Sequence, residues 1–121
     1  MAKIVHDSVL DGALNILKNG ATLMVVCSTQ PATRAEAVTT YALADVAMSA
    51  SDFTVADDTS GRKVTTTAKT AVPVDATGNA QHIALVDATN LLYVTTCTAQ
   101  QLTSGNTVDI PAWKINLQDP S

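Results

Sequence analysis

Residues 78–117, GNAQHIALVDATNLLYVTTCTAQQLTSGNTVDIPAWKINL, decide the fold class. They read as three β-strands joined by turns. Strands at 81–87 and 91–97 are separated only by Ala88-Thr89-Asn90, short enough for an antiparallel hairpin. A third strand at 107–118 follows Ser104-Gly105-Asn106, a strong turn signal. Within it Val108 and Ile110 share one face. Beyond Pro111 the apolar set becomes Trp113, Ile115 and Leu117, slipped by one residue. A slip of one reverses the buried face of a strand, so a bulge or bend near Pro111-Ala112 is needed to keep both sets in one core.

Working outward, the first recognisable element upstream is a helix at about 9–19, capped by Ser8. Leu10, Ala13, Leu14 and Leu17 form one apolar stripe, and Asp11 stands three residues after the cap at the positive end of the dipole. Lys18 lies in the last turn, and Gly20 suits the left-handed position that closes a helix. The apolar run TLMVVCS at 22–28 suits a central strand covered on both faces. Thr33-Arg34-Ala35-Glu36 has the spacing of a capping box, which predicts a brief second helix through Val38 or slightly beyond. Further strands are expected at 43–48, 53–55 and 62–69, the last with half-exposed Thr. Residues 70–78 should run extended around Pro73 and then turn, and 118–121 form a short tail.

The expected architecture is mainly β, an antiparallel β-sandwich or bent sheet of about six to seven strands. An N-terminal α-helix and one further short helix pack on it. At 121 residues, with no repeat or linker, the chain reads as a single domain spanning 1–121.

Composition narrows the partners. With one Trp, two Tyr and one Phe, the core must be Val, Ile, Leu and Ala. Charged residues are 15% of the chain, and Thr and Ala dominate, so the surface is mildly polar and suits contact with other protein. The net charge of −4 and scattered Lys and Arg argue against nucleic acid. No apolar run nears the roughly 20 residues of a bilayer span, and Asp7 and Asp11 stand where a signal peptide needs its apolar region. Cys27 and Cys97 read first as buried free thiols, with a disulfide as the alternative; no CxxC or HxxxH spacing suggests zinc.

Catalytic groups are sparse. His82 shares a strand face with Ala84 and Val86, opposite Ile83 and Leu85, and reads as a packing or interface residue. A Cys97–His82 pair oriented by Asp87 is the one nucleophilic arrangement to weigh, and its spacing does not favour it. His6 precedes the helix and reads as solvated. Asp57-Asp58, followed by Gly61, lacks EF-hand spacing and reads as an exposed turn, where raised carboxyl pKa values are hard to sustain. Neither GxGxxG nor GxxxxGK occurs. Trp113 reads as core. No catalytic, cofactor-binding or metal residue is assigned, and the chain is read as a non-enzyme without a cofactor.

The order of segments SVLDGALNILKNG, TLMVVCSTQP, SGRKV, AQHIALVDATNLLYVTT and LTSGNTVDIPAWKINL resembles a family of small structural virion proteins of tailed bacteriophages, of capsid decoration or head–tail accessory type. Members of that group carry a similar T-H-V-A-L-x-D strand, a G-N/D-T-V turn and an alternating closing strand. The likeness covers almost the whole chain. It implies a non-enzymatic subunit, most simply a capsid decoration (cement) protein that binds and stabilises the head shell, or else a neck, collar or tail accessory subunit. Its partners would be other virion proteins, including the major capsid protein, and further copies of itself, with no nucleic acid or membrane. Its place would be the virion, assembled in the bacterial host cytoplasm. A rival of another class is a small ligand- or carbohydrate-binding β-module, which needs Trp113 and Tyr93 exposed and close together, with Tyr41 as a further aromatic.

Overall fold

The computed structural model describes residues 6–59 and 61–117. The tail at 118–121 and the first five residues lie outside this range. Helix α1 (Asp7–Gly20) leads into nine strands: β1 (Leu23–Cys27), β2 (Ala42–Ala47), β3 (Phe53–Asp57), β4 (Arg62–Thr66), β5 (Lys69–Pro73), β6 (Gly78–Val86), β7 (Leu91–Leu102), β8 (Thr107–Ile110) and β9 (Lys114–Leu117). A π-type helical turn at Glu36–Thr40 follows β1, and a single 3₁₀ turn at Ala50–Asp52 precedes β3.

The strands form three separate antiparallel sheets, with orders β2-β1-β6-β7, β3-β4-β9 and β5-β8. The architecture is therefore mainly β as expected, with more strands than six to seven and no closed sandwich or single bent sheet. The physical reason lies in two interruptions. At Pro111–Trp113 the expected last strand breaks, so β8 joins β5 while β9 joins β4. Proline offers no N–H to a ladder, and buried Thr66 holds the break open. Thr66 N and Oγ1 both donate to Trp113 O (2.8 and 3.2 Å), and Trp113 N donates back to Thr66 Oγ1. The expected strand 62–69 likewise ends at Thr66, which is buried and not half-exposed.

One core unites the sheets. Met24 and Val26 of β1, Ile83 and Leu85 of β6, Phe53, Val64, Val72, Ile110 and Ile115 belong to a single buried cluster with Leu14 and Leu17 of α1. Both halves of the slipped apolar set thus reach the same interior, as the bend requires. The opposite face of the first sheet carries a second cluster, Val25, Cys27, Ala84 and Val86, covered by Ala37 of the π turn. Inner strand β1 is covered on both faces, in keeping with its unbroken apolar run.

Local details correct the reading of α1. The helix starts one residue ahead of Ser8, and its cap is His6, whose Nδ1 accepts from Ser8 N (3.1 Å). Asp11 turns away from the cap to bind Arg62, with 2.8 Å between Arg62 Nε and Asp11 Oδ1. Gly20 stays right-handed inside the helix; Gly61 and Gly105 are the glycines with positive φ (+75° and +91°) among the described residues. Ala13 is exposed, so the buried stripe narrows to Leu14, Leu17 and the following Ala21.

Candidate functional site

The first sheet has two rims, formed by β2 and β7. Along β2 the outer rim is partly covered, because Ala44 bridges Val74 and the Leu43 carbonyl accepts from Asp75 N (2.7 Å) and Ala76 N (3.1 Å). Along β7 no strand beyond β6 is paired among the described residues. This rim is twelve residues long, LLYVTTCTAQQL, and holds no charged residue and no proline. Thr96 and 98–101 are exposed. Two register irregularities interrupt its ladder with β6, between Leu91 and Tyr93 and between Thr96 and Gln100.

A second surface lies on α1. Val9 and Ile16 are each 63% exposed, and exposed Gly12 and Ala13 complete an i, i+3, i+4, i+7 stripe on the same side of the helix. A Cβ added at Gly12 would meet nothing within 4 Å. This stripe is separate from the Leu14–Leu17 face that enters the core.

A groove of about 440 Å³ runs between β7 and the segment 108–114, lined by Val26, Ile83, Thr95, Cys97, Ile110 and Trp113 among others. Trp113 of this lining stacks on Tyr93, with ring centroids 6.1 Å apart and planes 24° from parallel. They are close, as a sugar platform requires, but both are half-buried and stacked on one another. Trp113 Nε1 is buried without a hydrogen-bond partner among the described residues. Tyr41 packs on the opposite face of the first sheet, in the second cluster.

The candidate nucleophile pair is not assembled. His82 lies opposite Cys27 on one side and Thr96 on the other, facing with Ala84 and Val86. Cys97, one residue beyond Thr96, packs against the main core through the other face. Buried His82 Nδ1 has no hydrogen-bond partner among the described residues. Asp87 does not orient it: its Oδ1 accepts from Thr89 N (2.7 Å) and Asn90 N, closing the β6–β7 turn, and these bonds hold the carboxyl below its ordinary range. Both cysteines are free. The Cys27 thiol donates to Ala37 O (3.5 Å), and burial, with Cys97 adding to it, pushes its pKa up to about 11. Cys97 is raised by burial as well, so neither is an activated thiolate.

The Asp57-Asp58 pair is turned to two different cations. Arg62 Nη1 reaches Asp57 Oδ1 at 2.7 Å, while Lys114 Nζ and Asn116 Nδ2 reach Asp58 Oδ2 at 2.8 and 3.0 Å. The hydrogen bond from Lys114 lowers the Asp58 pKa, the reverse of what a general acid needs. The Asp57 pair ties β3 to β4, the Asp58 pair fastens their hairpin to β9, and the Arg62–Asp11 pair fastens it to α1. Among the described residues no group of three or more His, Cys, Asp or Glu is placed to hold a metal ion.

Compared with models of known protein families, with curated proteins and with solved structures, the chain matches none.

Proposed function

We propose that this chain is a non-enzymatic structural subunit of a tailed-bacteriophage particle, most simply a decoration protein that docks on the head shell and stabilises it. The observation that carries the reading is the coexistence, among the described residues, of two uncharged surfaces without a partner on different elements: the β7 rim and the Val9–Ile16 stripe of α1. A subunit set into an array touches more than one neighbour, and each contact is allowed to be weak because the array holds it by avidity. Shell stabilisation then follows from linkage, since a ligand that bridges assembled subunits favours the assembled state. The resemblance of the segment order to small virion proteins supports the same reading.

Copy number tests it. Quantitative mass spectrometry of purified particles carrying this chain should find hundreds of copies per head. About a dozen copies at one vertex would instead support a neck, collar or tail accessory subunit, and absence from the particle overturns the proposal.

The Tyr93–Trp113 pair beside the groove favours a second reading, a small carbohydrate-binding module. It requires Trp113 fluorescence to shift on addition of a glycan to the monomer. A ring pair already stacked on itself presents fewer open faces to a sugar, so no shift is expected.

A further inference from the structure

We propose that β7 pairs antiparallel with β7 of a second copy of this chain about a two-fold axis, joining two four-stranded sheets into one. This goes beyond the particle reading, since it concerns which partner takes this rim and holds for the free protein as well.

Outward-facing N–H and C=O groups on a rim strand template the addition of another strand, and proteins blunt that tendency with charge, proline, bulges or cover. The other rim strands here carry such charges: Asp45 in β2, Asp57 in β3, Lys114 in β9, Lys69 with Pro73 in β5, and Asp109 in β8. β7 has neither charge nor proline over its twelve residues. Its protection is limited to the two register irregularities, which add local twist without closing the rim.

The chemistry of the rim favours a copy of itself over a foreign strand. In an isologous antiparallel pair residue i faces residue j and j faces i, so a lone charge meets its own copy near the axis and loses water against an uncharged neighbour elsewhere, a cost in either place. β7 is the rim strand on which that cost vanishes. A charged partner strand, by contrast, would find no counter-charge anywhere along it. The exposed half, Thr96 with 98–101, offers Thr and Gln side chains that hydrogen-bond or pack across a strand pair. The strong twist added by the irregularities is shared by both strands of a symmetric ribbon, the setting in which sheet twist is largest.

A single strand pair covers less than the ~1,200 Å² of a stable specific interface, so the dimer is weak. Sedimentation of the full chain from about 1 to 500 µM should move its mass from 12.6 kDa toward twice that value. Thr98 is exposed, so Thr98→Lys and Thr98→Asp should keep the wild-type melting temperature. The axis is placed near Thr98, the middle of the mostly exposed 96–101 stretch, so like charges meet across it and each variant should raise the dimer midpoint more than about ten-fold. Mixing the two variants should restore the dimer. Asn15→Lys on the exposed side of α1 should leave it unchanged. A chain monomeric at every concentration, a dimer indifferent to both Thr98 variants, or a mixture that fails to re-form it would overturn the proposal. A monomeric chain still present in hundreds of copies per particle would overturn this inference alone. A β7-paired dimer absent from particles would overturn only the proposed function.

Discussion

The two rims of the first sheet differ in what happens to their backbone. At β2 the Leu43 carbonyl is taken by the amides of Asp75 and Ala76, Ala44 bridges Val74, and Asp45 sits on the strand. At β7 the ladder stops at β6 and the strand is neutral throughout. One rim is thus part of the fold, and the other has no strand paired beyond it among the described residues. Substitutions on β2 should act on stability, and substitutions on β7 on association.

The largest separation should come from Leu43→Ala against Thr98→Lys. Leu43 is 4% exposed and belongs to the main core. Its truncation should cost about 2–5 kcal/mol, whereas exposed Thr98→Lys should stay within about 0.5 kcal/mol; chemical denaturation of both measures the contrast. Equal losses would erase the distinction between the rims.

Gly78→Ala is the next sharpest probe. A Cβ there would stand 2.7 Å from Leu43 Cδ2, so the packed leucine must move. The expected loss is about 1 kcal/mol, overpacking partly offset by the backbone entropy that alanine saves. In a Leu43→Ala background the same change should cost nothing or stabilise, because the new methyl enters vacated space. Additive losses would mean that the two sites do not meet.

Acid should loosen the covered side. Lys69, at the start of β5, binds Asp52 beside β3 (2.8 Å), and chiefly this hydrogen bond lowers the Asp52 pKa from 3.8 to about 2. A depressed carboxyl stabilises the fold above its unfolded pKa, and that contribution disappears as pH falls from about 4 to about 2. Melting followed across this range should show a fall that Asp52→Asn makes smaller, with the lowered Asp58 and Asp87 carboxyls contributing the rest.

The smallest effect belongs to Asp45. Burial, then the nearby Asp75 carboxylate, raises its pKa, so the ionised form at neutral pH opposes folding. The contribution has the opposite sign to that of Asp52: it is favourable in acid and lost as pH rises through the folded pKa. Asp45→Asn should therefore stabilise by about 0.5 kcal/mol at neutral pH, without creating a new dimer, because Val74 and its neighbours still cover the rim. A new concentration-dependent dimer in this variant would show that the charge, and not the cover, protects β2.

Much of this was legible in local pattern. Leu14 and Leu17 announced a buried helix face, Ala88-Thr89-Asn90 a hairpin, and the slip around Pro111 a bend, which in the structure is a full break between two strands. What stayed hidden depends on pairings between distant residues. The match of Arg62 with Leu117 sends the last strand to a different sheet from β8, and no nearby residue encodes it. The strand expected at 91–97 runs on to Leu102, because pairing of Gly78 with Leu102 carries β7 further. The neutrality of LLYVTTCTAQQL was plain to read. That it forms a rim was not, because rim position is a property of the whole sheet. Of the candidate residues, Cys97 and His82 fall on opposite faces of the first sheet, a placement that strand register decides and spacing in the sequence does not. The exposed Val9–Ile16 stripe was missed, although its helical spacing was present beside the stripe that was read.

Backbone amide hydrogen–deuterium exchange across β7, with the chain free and dilute and again assembled on the particle, addresses the central claim most directly. The account predicts slowed exchange along Leu91–Leu102 on assembly, with β2 unchanged. Protection gained elsewhere while β7 exchanges as fast as in the free chain would contradict it.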